Sequence, residues 1–163
     1  MDYFAKRRQG FTLIELMIVL SIVAFLSMVS LPSFFRFLSK AKRTEAYMHL
    51  GSIYLAQKAY WAENGVYATA LQGPNSLGWK PEGYTGGGSK ERFYYTYGFS
   101  QGSEGQHYFT GKLGASSAAL GTTKADAQSF IIAAAADIDG DGEDDVLTVN
   151  HQNNIQVVKD DLS

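Results

Sequence analysis

The chain has 163 residues, 45% hydrophobic and 18% charged, a length that holds one ordinary domain and excludes most multidomain enzymes. Fourteen Lys and Arg against 16 Asp and Glu leave a formal charge of -2, which offers no general electrostatic grip, so no specific nucleic acid is expected as a partner. With no cysteine there is no disulfide framework, thiolate zinc site or cysteine nucleophile, so packing or a hard cation must supply stability outside the cell.

Residues 1–10 carry Lys6, Arg7 and Arg8, and from residue 11 to residue 35 the only ionisable side chain is Glu15. As helix, about 25 residues reach roughly 37 Å, enough to cross a hydrocarbon core of about 30 Å with some tilt. The stretch also exceeds the ~7–15 apolar residues of a signal-peptide core. The basic cluster votes for a cytoplasmic N-terminal side, against Arg36, Lys40, Lys42 and Arg43 on the other flank. Glu15 is the anomaly, because a carboxylate in such a helix costs a few kcal/mol unless neutralised, paired or held at the interface. Two readings stand: a glutamate at headgroup level in an uncleaved anchor, or the partner of a new α-ammonium if the chain is cut between Gly10 and Phe11. Pro32 removes an amide donor and clashes with the carbonyl of residue 28, which predicts a kink or an opened turn. Ser27 and Ser30 are at hand to satisfy the freed carbonyls.

The string Gly10-Phe11-Thr12-Leu13-Ile14-Glu15, behind a short basic leader and ahead of the apolar run, resembles the class III signal of type IV pilins and of the related type II secretion pseudopilins. The resemblance is close from the leader to the end of the long helix and only architectural beyond it. It implies that a prepilin peptidase cuts after Gly10, removing residues 1–10, and that Phe11 is then N-methylated. It also implies that Glu15 pairs with the N-terminal amine of an adjacent subunit, and that Pro32 is the family's helix-breaking proline. Ala24 stands where many pilins have a glycine that loosens the helix. The implied partners are further copies in a homopolymer, the peptidase and methyltransferase, an assembly platform, minor pilins, and the inner membrane before assembly.

After Pro32 the pattern becomes amphipathic: Ala46, Leu50, Ile53, Tyr54, Tyr60 and Trp61 recur at three-to-four spacing, with Lys42, Glu45, Gln57, Lys58 and Glu63 between them. Asn64-Gly65 is a stop signal. A single broken helix over 11–64 is expected, roughly 80 Å long at 1.5 Å per residue. Its aromatic stripe is expected to form core for a globular head over 65–163. Residues 66–90 read as a Gly- and Pro-rich connection. Residues 92–99 and 107–113 read as strands, 114–127 as loop, and 129–136, 145–150 and 154–158 as three more strands, the last two a hairpin through 151–153. This order predicts an α+β fold, a long N-terminal helix packed on an antiparallel sheet of about four strands.

Residues 137–145 carry the sharpest chemical signal outside the N-terminus. Asp137, Asp139 and Asp141 alternate around a turn that Gly142 lets bend, so that the Glu143 carbonyl and the Asp145 carboxylate can close an oxygen shell for Ca²⁺. The loop follows an EF-hand only through its ninth position, has Thr148 instead of the twelfth-position glutamate, and leads into a strand. It is closer to the acidic loops between strands of extracellular calcium-binding repeats. Such an ion would brace the C-terminal hairpin. Gly98-Phe99-Ser100-Gln101-Gly102 matches a nucleophile elbow, with Asp137 and His151 following in hydrolase order, but the motif needs a strand-turn-helix in a large parallel sheet, so no enzyme is expected.

The favoured reading is the structural subunit of a type IV pilus serving adhesion or motility, first in the inner membrane and then in an extracellular filament. One alternative is a type II secretion pseudopilin in a periplasmic pseudopilus. Another is a signal-anchored calcium-binding module that never polymerises.

Overall fold

A computed structural model of the protein describes residues 10–162. The basic residues Lys6, Arg7 and Arg8 of the expected leader lie outside the described residues. In chain order the elements are α1 (Leu13–Asn64), β1 (Thr96–Gly98), β2 (Tyr108–Phe109), a 3-10 helix (Ser117–Leu120), β3 (Lys124–Ala125), β4 (Phe130–Ala136), β5 (Asp145–Asn150) and β6 (Ile155–Lys159). The chain divides into two compact units, Met1–Phe37 and Leu38–Ser163, and α1 contributes to both.

In the first unit the described chain is a short non-helical lead, residues 10–12, followed by helix. The helix runs uninterrupted through Pro32, so the turn there is not opened. Ser27 Oγ donates to the carbonyl of Val23 at 2.8 Å, a bond along its own turn and not to the carbonyl that Pro32 leaves without a donor.

The second unit is α+β: the rest of α1 packs on an antiparallel sheet ordered β2-β1-β4-β5-β6, with β3 also pairing β4. Ala46, Leu50, Ile53 and Gln57 lie on one face of α1 and are fully buried. Ala46, Leu50 and Ile53 meet Tyr95, Tyr97, Phe109, Phe130, Ile132, Leu147 and Val149, the main core. The opposite face of the sheet is covered as well, where Ala133, Ala135 and Val146 pack against Ala115 and against Leu120 of the 3-10 helix. Burial on both faces explains the nearly continuous apolar run of β4.

Local departures from the expected pattern have physical reasons. Gln57, expected among the solvated residues, is buried because its amide mimics a backbone group, with Nε2 donating to Ala68 O at 2.8 Å and Oε1 accepting from Ala68 N at 3.0 Å. Trp61, expected in the buried stripe, is 44% exposed. Strand β1 begins only at Thr96, because the amide of Tyr94 is taken by Glu45 Oε1 at 2.8 Å instead of a neighbouring strand. The stretch expected as loop over 114–127 contains both the 3-10 helix and β3. In the β5–β6 hairpin, Asn150 Oδ1 accepts from the amides of Gln152 and Asn154 at 2.9 and 3.1 Å.

Candidate functional sites

The first site is the N-terminal apolar segment. Gly10, Phe11 and Thr12 precede the helix and are exposed, so the Gly10–Phe11 peptide bond sits in irregular chain. Thr12 is the residue before α1 and Glu15 its third helical residue, the spacing of a capping box. Thr12 Oγ1 accepts from the amide of Glu15 at 3.2 Å and donates to Glu15 Oε2 at 3.4 Å. The Thr-x-x-Glu pattern in the sequence is the signal for this local use of Glu15 at the helix start. From Phe11 to Phe37, eighteen large apolar side chains are each 46% exposed or more. The segment is long and apolar enough to cross a membrane. A continuous apolar surface of this size marks a membrane or protein contact.

The second site is the acidic turn between β4 and β5. Each aspartate first shapes the backbone: Asp137 accepts from the amides of Gly140 at 2.6 Å and Gly142 at 3.0 Å, Asp139 from Asp141 N at 3.2 Å, and Asp141 from Glu143 N at 2.8 Å. Gly140 and Gly142 take φ of 91° and 92°, a region that favours glycine and lets the turn curl on itself. Ile138 anchors the turn, with its side chain buried in the main core and its carbonyl accepting from Ser39 Oγ at 3.0 Å and Lys42 Nζ at 2.6 Å. The chain beyond β6 closes the fourth side. Asp161 Oδ2 accepts from the amides of Ile138 at 2.9 Å and Asp139 at 3.3 Å. Carboxylate oxygens of Asp137, Asp139, Asp141 and Asp161 lie within 4.8 Å of one another.

Among the carboxylates this differs from the expected ligand set at Asp145. Asp145 is not in the cluster and is fully buried, where it receives Arg43 Nη2 at 2.6 Å, Arg43 Nε at 3.0 Å and the Tyr95 hydroxyl at 2.6 Å. Strand pairing explains this, because Asp145 is already in β5 opposite Ala136, and its side chain joins the helix-facing layer. The Glu143 carboxylate pairs with Lys159 of β6. Asp161 occupies the place assigned to Asp145. The clue was available: an antiparallel β5–β6 hairpin must return residues just past β6 to the start of β5, beside the acidic turn.

Electrostatics follow from these contacts. Burial opposes the charge of Arg43, but its hydrogen bonds to Asp160, at 2.5 Å, and to Asp145 more than offset this and hold it firmly protonated. Burial and then the hydrogen bond to Asp145 push the Tyr95 hydroxyl well above its ordinary value. Burial also raises Asp161, against the pull of the Ile138 amide and with the charges of Asp139 and Asp141 adding to the rise.

The Gly98–Gly102 motif does not form an elbow. Gly98 ends β1, Ser100 Oγ shares a hydrogen bond with Thr123 Oγ1 at 3.0 Å, and the chain continues as turns.

Comparison with known proteins bears on the first site. The family described as "Prokaryotic N-terminal methylation motif" matches residues 5–31. The chain is 39% identical over 79 residues to the type IV major pilin protein PilA of Myxococcus xanthus strain DK1622, covering 48% of this chain and 34% of that protein. It is 35% identical over 60 residues to the fimbrial protein EcpC of Eikenella corrodens, covering 37% of this chain and 39% of EcpC. Fimbrial protein EcpB of the same organism is 37% identical over 60 residues, covering 37% of this chain and 38% of EcpB. The matched stretches thus span a little over a third of these relatives. The N-terminal stretch is similar to those of type IV pilins and fimbrial proteins, and the helix behind it is apolar and long enough to cross a membrane.

Proposed function

We infer that the chain is the non-enzymatic structural subunit of a type IV pilus, inserted in the inner membrane through residues 11–35, cut after Gly10, methylated at Phe11, and polymerised through its N-terminal helix into a surface filament for adhesion or motility. The observation that carries this reading is the uncovered apolar helix directly behind a methylation motif. Covering eighteen half-exposed apolar side chains is worth on the order of 20 kcal/mol before the entropic costs of association are subtracted. Lipid supplies that cover before assembly, and neighbouring subunits supply it in the filament.

Burial among neighbours is non-directional, so Glu15 sets the register. In the precursor it completes the cap with Thr12. In the filament its carboxylate receives the α-ammonium that cleavage creates on a neighbouring Phe11, and a charge left unpaired in an apolar core is penalised. The peptidase and methyltransferase, the assembly platform and minor pilins are the partners this cycle requires.

Intact-mass and N-terminal peptide spectrometry on filaments sheared from the cell surface tests the reading. A subunit beginning at methylated Phe11 is expected there. The same processed chain confined to the envelope would point to a pseudopilus, and a chain still carrying residues 1–10 would refute processing. Glu15 variants separate its two uses. Glu15→Gln preserves a capping-box side chain but removes the charge, and Glu15→Ala removes both. Both variants are expected to accumulate as membrane precursor while surface filaments fall at least tenfold, on the order of the loss of one buried charge pairing. Normal filament yield in Glu15→Gln would sink the register role and leave only the cap.

A further inference from the structure

We propose that Asp137, Asp139, Asp141 and Asp161 together hold a Ca²⁺ ion that fastens the segment after β6 to the turn between β4 and β5. An acidic cluster alone is common on protein surfaces, but here one of its members is not on the surface. Asp161 is 8% exposed, and its Oδ1 is buried with no hydrogen-bond partner among the described residues. Buried carboxylate oxygens ordinarily have a donor or a cation. The other oxygen of Asp161 already accepts two amides, so the side chain cannot swing out to water without leaving Ile138 N and Asp139 N unpaired.

The chemistry of the donors selects the ion. All four side-chain ligands are carboxylates, which suit a hard cation. Calcium accepts six to eight oxygens at about 2.3–2.6 Å in adaptable geometry, so oxygens on opposite sides of it stand about 5 Å apart. The four oxygens here lie within 4.8 Å of one another. Magnesium would demand about 2.1 Å and a near-octahedral shell, and it keeps much of its water. The cations nearby are committed elsewhere: Lys159 pairs with Glu143, Arg43 with Asp145 and Asp160, and Lys42 donates to the Ile138 carbonyl. An ion at this point would connect three parts of the second unit. The turn supplies three ligands, the segment after β6 supplies the fourth, and the neighbouring Asp160 holds Arg43 of α1. This inference does not depend on polymerisation and stands or falls separately from it.

The test is equilibrium dialysis with radiolabelled Ca²⁺ on the full chain in detergent micelles, in excess Mg²⁺, with thermal unfolding followed in parallel. One Ca²⁺ per chain is expected, with a Kd of about 0.1–1 mM, as in extracellular modules. At 10 mM Ca²⁺ the folded-to-unfolded ratio should rise about 10- to 100-fold, and equal Mg²⁺ should not reproduce this. Asp161→Asn and Asp141→Asn should each weaken binding at least tenfold, whereas Asp126→Asn, an exposed aspartate in another loop, should leave it unchanged. Asp141 is exposed and its side chain accepts from the Glu143 amide, a bond that asparagine can also accept, so that variant decides the matter if Asp161→Asn fails to fold. The proposal is overturned if the folded wild type binds no Ca²⁺ at 10 mM, if Asp141→Asn binds like wild type, or if Asp126→Asn weakens binding equally.

Discussion

Replacing Arg43 with methionine keeps most of the side chain's apolar stem but removes the guanidinium that serves Asp145. The carboxylate of Asp145 is fully buried, and Arg43 supplies two of its four hydrogen bonds, at 2.6 and 3.0 Å. Tyr95 Oη supplies a third, and the amide of Asp161 a weak fourth at 3.4 Å. Removing one partner of a buried pair strands the other and costs about 3–5 kcal/mol, whereas an exposed pair is worth about 0–1 kcal/mol. Asp160, at 47% side-chain exposure, adds little to this and is discounted. For a unit of this size each kcal/mol lowers Tm by about 3–5 °C, so Arg43→Met should melt roughly 10–20 °C below wild type. Thermal unfolding by near-ultraviolet circular dichroism is a suitable readout, because Tyr95 and Tyr97 lie in the core beside the pair. The double variant Arg43→Met/Asp145→Asn removes the stranded charge while keeping an acceptor for Tyr95, and should recover at least half the loss. A loss under about 1 kcal/mol in Arg43→Met, or no recovery in the double variant, would refute the claim that a buried pair fastens α1 to β5.

Two other perturbations probe the loops. Glu91 is almost fully buried, and its Oε1 accepts from Thr85 Oγ1 at 2.7 Å, Thr85 N at 2.8 Å and Gly87 N at 2.9 Å. Burial alone would raise its carboxyl, but these donors more than offset that and hold it below the usual glutamate range. The unfolded chain therefore binds the proton more readily, so Glu91 stabilises the fold above its ordinary value of about 4.3, and this is lost as pH falls through its lower folded value. Glu91→Gln should cost about 1–3 kcal/mol at pH 7 and flatten the acid limb of a Tm-against-pH profile; an unchanged acid limb would show that other carboxylates control it. Gly98 has φ of 137°, and a Cβ there would stand 2.2 Å from His107 O and 2.7 Å from Tyr108 Cα. Gly98→Ala should therefore destabilise by at least ~2 kcal/mol in urea titration, since neither backbone can yield without breaking the β1–β2 pairing.

How far the fold was legible follows from which interactions are local. The apolar run, the Asn64-Gly65 stop and the β4 and β5 strands depend on periodicity and turn chemistry within a few residues, and all can be read from the chain. What escaped depends on distant partners. Nothing near Gln57 in the sequence announces that the backbone of Ala68 will receive its amide. Asp145 reads as a ninth loop position until the pairing with Ala136 starts a strand there and Arg43, 102 residues away, claims its charge. Asp161 was hidden for the complementary reason, because its place in the cluster depends on the hairpin's return. Glu15 shows the opposite failure, in which attention to its cost in a membrane obscured the local partner three residues before it.

The sheet's two outer edges are both poor templates. At one end β2 is only two residues long. At the other, the pairing of β5 with β6 slips between Val146 and Leu147, which stand opposite Lys159 and Val157 and leave Val158 as an extra residue bulged from the ladder, 65% exposed. A bent edge strand ending in lysine, like a very short one, discourages strand addition from another chain. This matters under the function proposed above, in which the apolar helix brings copies to high local concentration, because any second self-complementary surface would then compete and branch or tangle the product. A blunted sheet would leave such assembly to the helix.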